Sequence, residues 1–194
     1  SPEAQTGAAP TATTPTSTTP TATTPTAAAP PHGEARLVAP GVTLTHVPWA
    51  DPTAQALRVE QQDEIEGIYD GQGDVCQQLP DEEMLTTVLL HVDGQVAGSG
   101  ALRDGSTYGT GTAELKRLFV RPAFRGRGLS GVVVGEIERF ARLRGLQRIV
   151  LETGDRLTAA IALYSSRGYD RIPNYGPYAD DPSSFCFALD LRGD

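Results

Sequence analysis

Between residues 42 and 47 the chain reads VTLTHV, with apolar and polar positions alternating at period two, the pattern of a strand with one buried face. Asp51-Pro52 follows, an N-cap side chain ahead of a proline whose fixed φ suits the first helical turn. Ala54, Leu57, Ile65 and Ile68 then recur at helical spacing, which predicts a helix over 52–69, interrupted by Gly71 and Gly73. Strand patterns return over 86–92, 95–103 and 113–120. Asp93-Gly94 between the first two is a hairpin turn signal, so this region is predicted as an antiparallel meander. Val133, Ile137, Phe140 and Ala141 share the apolar face of a helix over 129–144, with Glu138 four residues before Arg142 and Gly145 as the stop. RIVLET, residues 148–153, is a short buried strand. Leu157, Ala160, Ile161 and Tyr164 share a face of a helix over 155–167 ended by Gly168, and strands close the chain over 169–172 and 185–191. The predicted order is β-α-βββ-α-β-α-ββ, a mixed α/β (α+β) fold in which helices flank a mostly antiparallel sheet of six to seven strands.

Composition removes the first 33 residues from this count. TATTPTSTTPTATTPTAAAPP, residues 11–31, follows Pro10 and carries prolines at 15, 20, 25 and 30 in the same pentad rhythm, with no charge and no large apolar side chain. Such a segment buries too little apolar surface to offset its ordering entropy, so residues 1–33 are predicted as an extended tail and residues 34–194 as one folded domain. A solvated linker and an O-glycosylated stalk both suit this composition. The segment lacks the basic start and apolar centre of a secretory signal, and no apolar run approaches the ~20 residues of a membrane span, so a soluble protein with no membrane partner is expected. Cys76 and Cys186 show neither metal-ligand spacing nor a disulfide framework, which predicts no metal and a reducing, cytoplasmic setting. The net charge is −8, yet arginines bunch between Arg117 and Arg148, a balance that points to a small anionic ligand and away from nucleic acid.

The candidate chemistry centres on FVRPAFRGRGLSGVVVGEI, residues 119–137, where Gly126, Gly128 and Gly131 have the G-x-G-x-x-G spacing of dinucleotide-binding loops. That fold needs its first glycine directly after the strand, whereas five residues, 121–125, intervene here. Too little chain follows Glu152 for further βα units, and no Lys-Ser/Thr pair marks a Walker loop. The loop still suits phosphate: backbone N–H groups near glycines at a helix entry form an anion-binding concavity, and Arg125 and Arg127 add charge.

AELKRLFVRPAFRGRGLSGVVV, residues 113–134, resembles the signature of the GNAT superfamily of acetyl-CoA-dependent N-acetyltransferases, whose pyrophosphate loop follows Q/R-x-x-G-x-G/A. Arg125, Gly126, Arg127, Gly128, Leu129 and Ser130 match at the arginine and the obligatory glycine; Ser130 stands where Gly or Ala is usual, and Gly131 follows at once. A second stretch, LETGDRLTAAIALYSSRGYDRIPNYGPYADDPSSFCFALDL, resembles the closing half of small bacterial GNAT enzymes, so the likeness runs from about residue 42 to 191. It implies acetyl-CoA as co-substrate, with the pyrophosphate on residues 125–131 and the pantetheine arm along the main chain of Leu118, Phe119 and Val120. The amide of Phe119 or Val120 is the implied oxyanion donor. It implies direct transfer to an amine in a ternary complex, with Glu114 at the position of a general base and Tyr164 at that of the acid for the leaving thiolate. The residues also admit other roles: Glu114 as a strand carboxylate paired with Lys116 or Arg103, and Tyr164 as a core tyrosine. The asparagine usual in the last helix is Leu157 here.

The acceptor is expected to be a small-molecule or peptide amine. Tyr175, Tyr178, Asp180 and Asp181 between the last strands are candidates to line its pocket, as are His46, Trp49 and the acidic run 63–66 on the other wall. Dimers are common in that superfamily, so a homodimer is an expectation. A non-catalytic acyl-CoA sensor is the alternative class, and an RNA-binding role is disfavoured by acidity and sparse aromatics. Deleting residues 1–31 is expected to leave acetyl-CoA affinity unchanged by calorimetry; a large loss would show that the tail is part of the domain.

Overall fold

The computed structural model describes residue 28, residues 30–70 and residues 79–193. The Thr/Pro segment up to residue 27, the Gly71–Gly73 interruption and Cys76 lie outside the described residues.

Eight strands form one sheet: β1 (Ala35–Ala39), β2 (Val42–Val47), β3 (Met84–Val92), β4 (Gln95–Asp104), β5 (Thr112–Val120), β6 (Arg148–Gly154), β7 (Asp170–Ile172) and β8 (Ser184–Asp190). Their order across the sheet is β1-β2-β3-β4-β5-β6-β8-β7, and every neighbouring pair is antiparallel except β5 and β6. Three α-helices accompany them: α1 (Pro52–Ile68), α2 (Leu129–Leu143) and α3 (Thr158–Ser166). The mixed, mostly antiparallel sheet with flanking helices is as expected, with one strand more than the alternation predicts. β1 escapes the pattern because it is a mostly exposed edge strand, in which only Val38 is half-buried, so its sequence carries no alternation.

Strand parity assigns each side chain to a face. Val42 and Leu44 of β2 and Val88, Leu90 and Val92 of β3 point to the face covered by α2, where they meet Val133, Val134, Ile137, Phe140 and Ala141. Ala160, Ile161, Leu163 and Tyr164 of α3 pack into the same cluster. Val47 and Leu89 take the opposite parity and meet Ala54 and Leu57 of α1 together with Phe119. α1 starts as its sequence indicates, the Asp51 side chain accepting from the Ala54 N–H with proline at the first position.

β5 breaks this parity by design of its backbone. Ser99 faces Phe119 and Ala101 faces Lys116, so two residues of β5 oppose one of β4, a β-bulge in which Arg117 adopts φ +58°. Ala113 and Leu115 before the bulge and Val120 after it all belong to the α2-side cluster, whereas Phe119 joins the α1 side. Pairing of β5 with β6 runs only from Thr112 to Leu115, and beyond it the two parallel strands separate.

The α2 face holds a buried polar group. His46 is 3% exposed and stacks on Phe140, with Nδ1 2.8 Å from Thr86 Oγ1 and Nε2 2.8 Å from Glu136 Oε1. Arg139 and Arg36 also donate to the Glu136 carboxylate. His46 is therefore neither a solvated strand residue nor a wall of the α1-side cleft, since even-numbered β2 positions point to α2. Burial raises the Glu136 pKa, but the His46, Arg139 and Arg36 donors outweigh it and hold the carboxyl well below the usual range. A depressed carboxyl pKa contributes stability that is complete above the unfolded value of about 4.3 and drains away as pH falls below it. Glu136→Gln is expected to lower unfolding free energy by about 2 kcal/mol at pH 7 and to flatten the acid loss below pH 4 in urea titrations. An unchanged acid slope would remove this carboxylate from the account.

Candidate active site

The separation of β5 from β6 opens a cavity of about 440 Å³. Its floor is Leu115, Lys116, Arg117 and Leu118 of β5 with Glu152, Thr153 and Gly154 of β6; α1 contributes Gln61, Gln62 and Ile65, joined by Tyr69. α3 and the turn before it supply Leu157, Ala160 and Tyr164, and the β7–β8 connection supplies Tyr178, Asp181, Ser183 and Ser184. Tyr69 crosses to the far side, its hydroxyl 3.3 Å from an Asp155 carboxylate oxygen and 3.2 Å from the Arg156 N–H. It packs so closely on Gly154 that a Cβ there would lie 2.0 Å from the phenol oxygen.

Glu114 sits behind the cavity rather than in its lining. It is fully buried; Arg103 Nε donates to Oε2 at 2.6 Å, the Tyr175 hydroxyl donates to Oε1 at 2.8 Å, and Lys116 Nζ stands 3.7 Å from Oε1. The strand pairing with Arg103 and Lys116 anticipated as one reading is thus present. Two carboxylates do line the cavity, Asp181 and Glu152; Glu152 accepts from the Ser184 hydroxyl at 2.8 Å, and its charge acts on both Lys116 and Tyr164. Sequence reading used Glu152 only to weigh a dinucleotide fold; its parity on β6 becomes informative once the strand is known to diverge from β5.

Tyr164 is a core tyrosine that also borders the cavity. Its ring is 4% exposed, packed against Tyr169 and Phe187, and its side chain also lines the cavity. Burial first, and the Glu152 charge second, push its pKa far up, so the phenol keeps its proton throughout the neutral range. Gln61, another residue that sequence reading passed over, donates from Nε2 to the Leu118 carbonyl at 2.8 Å and so fixes the diverging strand to α1.

The glycine loop lies at the end of β5. Gly126 and Gly128 have φ of +76° and +71°, values natural only to glycine, and a Cβ at either would meet nothing, so the conformation and not crowding requires them. Gly128 caps α2 without any side-chain bond to the first-turn amides, which leaves the helix N-terminus suited to an anion. Arg125 donates from Nε to the Val120 carbonyl at 2.8 Å, and its Nη2 pairs with Glu64 of α1. Arg127 is exposed, Ser130 half-buried and Leu129 buried in the core. Gly131 faces away toward α3, where a Cβ would meet Leu163 and Arg167 at 3.7 and 3.8 Å. Phe119 and Val120 bury their side chains on opposite faces. Of the proposed acceptor residues, Tyr178 and Asp181 line the cavity, Tyr175 holds Glu114, and Asp180 is exposed. Trp49 is covered by the Arg58 guanidinium at 3.6 Å, and within the acidic run Glu64 engages Arg125 while Ile65 lines the cavity. Among the described residues no cluster of acids, histidines and cysteines could hold a metal ion, and no helix is long and apolar enough to cross a membrane.

Glu114→Ala is expected to cost about 3 kcal/mol of stability, because it removes the buried partner shared by Arg103 and Tyr175 and leaves Arg103 only the longer contacts to Glu83 and Tyr108, while Glu152→Ala costs under about 1 kcal/mol. Chemical denaturation of both variants checks this; equal losses would make Glu152 a structural residue as well.

Comparison with known proteins supports the same frame. The chain is 42% identical over 92 residues to an IAA acetyltransferase of Azospirillum brasilense, a match covering 47% of this chain and 58% of that protein. The chain spans about half the length of the curated relatives it matches. A Klebsiella pneumoniae structure provisionally named an acyl-CoA N-acyltransferase superposes with a TM-score of 0.66 at 28% identity, covering 77% of this chain and 97% of that one. The PaiA N-acetyltransferase of Thermoplasma acidophilum, solved with coenzyme A, shares the fold with a TM-score of 0.57 at 14% identity, over 76% of this chain and 98% of its own. The acetyltransferase (GNAT) family model matches residues 47–169, from the end of β2 through α3, and the chain belongs to that family.

Proposed function

We propose that the protein transfers an acetyl group from acetyl-CoA to a primary amine by direct attack in a ternary complex. The observation that carries this reading is the divergence of parallel strands β5 and β6 around a cavity holding an acid and a phenol, with the glycine-built N-terminus of α2 following β5. The first-turn amides of α2 and the backbone of residues 125–130 would take the pyrophosphate, with Arg127 adding charge and Arg125 released from Glu64. Leu118, Phe119 and Val120 would meet the pantetheine arm by main chain, with the amide of Phe119 or Val120 as oxyanion donor; the acceptor amine would enter beside Glu152. The reducing, cytoplasmic setting and the homodimer belong to the same proposal and rest on family habit and cysteine use alone.

An amine attacks only when neutral, so one proton of the acceptor ammonium passes to Glu152, directly or through water. The nitrogen then bonds to the acetyl carbon and the C–S bond breaks. Tyr164 delivers its proton to the departing thiolate, and the second proton lost from nitrogen restores the phenol. Net, acetyl-CoA and an ammonium give an amide, free CoA and one proton. Glu114 keeps its place in the proposal as the buried charge that positions Lys116, Arg103 and Tyr175 behind the site; its burial and three partners favour that task over contact with the amine.

Saturating acetyl-CoA is expected to raise the midpoint of thermal unfolding, ligand at 100 times its dissociation constant contributing about 2.7 kcal/mol, whereas NADH has no effect. Gly128→Val is expected to abolish that shift. Glu152→Gln and Tyr164→Phe should retain it and lose roughly 10²-fold or more in kcat. A shift with NADH in place of acetyl-CoA, or a Tyr164→Phe variant with full kcat, would falsify the reading at its cofactor or its acid respectively.

A further inference from the structure

Lys116 has no task in the chemistry above, yet it lines the cavity within 3.7 Å of Glu114, and the charges of Glu114 and Glu152 both act on it. Its side chain is only 13% exposed, its Nζ donates to the Tyr178 hydroxyl at 2.5 Å, and the Tyr178 ring lies 5.1 Å away. Glu114, at 3.7 Å, is already engaged by Arg103 and Tyr175. Asp181 on the same wall is engaged from within its own turn, its Oδ1 accepting from Ser183 N–H at 2.8 Å and Ser183 Oγ at 2.6 Å, while its Oδ2 stands 3.0 Å from the Ser184 Oγ that donates to Glu152. Burial is the largest influence on the Lys116 ammonium and lowers its pKa; the Glu114 and Glu152 charges oppose this, and those of Arg103 and Arg117 add to it. The wall thus carries a poorly hydrated cation whose nearest countercharge is shared with a better-placed arginine.

Such a cation acts on whatever enters beside Glu152. It repels an acceptor ammonium and so favours its deprotonation, and it repels a second positive charge more strongly still. A carboxylate next to the amine removes both penalties by accepting from Lys116 and the Tyr178 hydroxyl in a site where charged hydrogen bonds are strong. The cavity of about 440 Å³ has to admit the acetyl-bearing end of the co-substrate as well, which leaves room for a small acceptor.

Resting on the acetyl-transfer reading, we propose that the acceptor is a small amino acid, its amine toward Glu152 and its carboxylate held by Lys116 and Tyr178. The same lysine disfavours polyamines and other polycations.

The test compares amino acids with their decarboxylated counterparts at fixed acetyl-CoA: alanine with ethylamine, phenylalanine with phenethylamine, histidine with histamine, and putrescine and spermidine beside them. In at least one pair the amino acid is expected to be preferred about tenfold or more in kcat/KM, as befits one hydrogen-bonded charge pair. Lys116→Met should raise the KM of that amino acid about tenfold, lower that of its decarboxylated partner, and leave the acetyl-CoA thermal shift unchanged. Tyr178→Phe, a smaller change to the fold, should move the same KM in the same direction. Preference for the decarboxylated amine or a polyamine, equal effects of Lys116→Met on both members of a pair, or acetyl-CoA binding with no turnover of any amino acid each overturns the proposal. Loss of the acetyl-CoA shift in the unsubstituted protein would instead remove the reading on which it rests.

Discussion

One extra residue in β5 sets the geometry of this molecule. The sheet could continue in register from β4 to β6, but two residues of β5 stand opposite one of β4, and Arg117 takes a left-handed conformation to allow it. The inserted residue reverses the parity of everything after it, turning Leu118 and Val120 toward α2 and Phe119 toward α1. It also increases twist, and a strand that twists away cannot hold its parallel neighbour, so pairing with β6 ends at Leu115. The cost is strand hydrogen bonding with no backbone partner; Gln61 and Arg125 meet part of it by donating to the Leu118 and Val120 carbonyls. The cavity, its lining carboxylates and its lysine are consequences of that divergence.

Two buried glutamates show how the same residue type serves different ends. Glu136 on α2 gathers His46, Arg36 and Arg139 and so ties a helix to β1 and β2 on the closed face. Glu114 gathers Arg103, Tyr175 and Lys116 beneath the open one. In both, a carboxylate without exposure is tolerated because at least two donors replace its water, the condition under which a buried charge is retained. The difference lies in what stands beyond: Glu136 borders a recess of only about 180 Å³, whereas in front of Glu114 is a cavity of about 440 Å³ whose wall includes Lys116.

Local sequence was sufficient for most of the fold. The Asp51-Pro52 helix start, the Asp93-Gly94 hairpin, the α2 stripe from Val133 to Ala141 and the seven alternating or apolar strand segments are short-range patterns, and each appears with its ends within a few residues. The glycines of the loop were legible for the same reason, since Gly126 and Gly128 answer a local backbone requirement. β1 was not, because an exposed edge strand carries no alternation.

Which polar side chains meet was decided by tertiary structure alone. His46 looked like a strand residue of the acceptor side and lies instead beneath α2, because face assignment depends on which helix covers which side of the sheet. Glu114 was singled out from its place on β5, and whether it faces ligand or protein depended on Arg103 and Tyr175, 11 residues before it and 61 after. Gln61 carried no local signal, since a lone amide residue in a helix reads as surface; Lys116 was legible only as a partner for Glu114, and Glu152 only in weighing a dinucleotide fold. The sequence by itself determined the elements and the glycine loop, both set by backbone preferences over a few residues. Burial, charge pairing and the cavity required the long-range divergence of two strands, which no window of the chain contains.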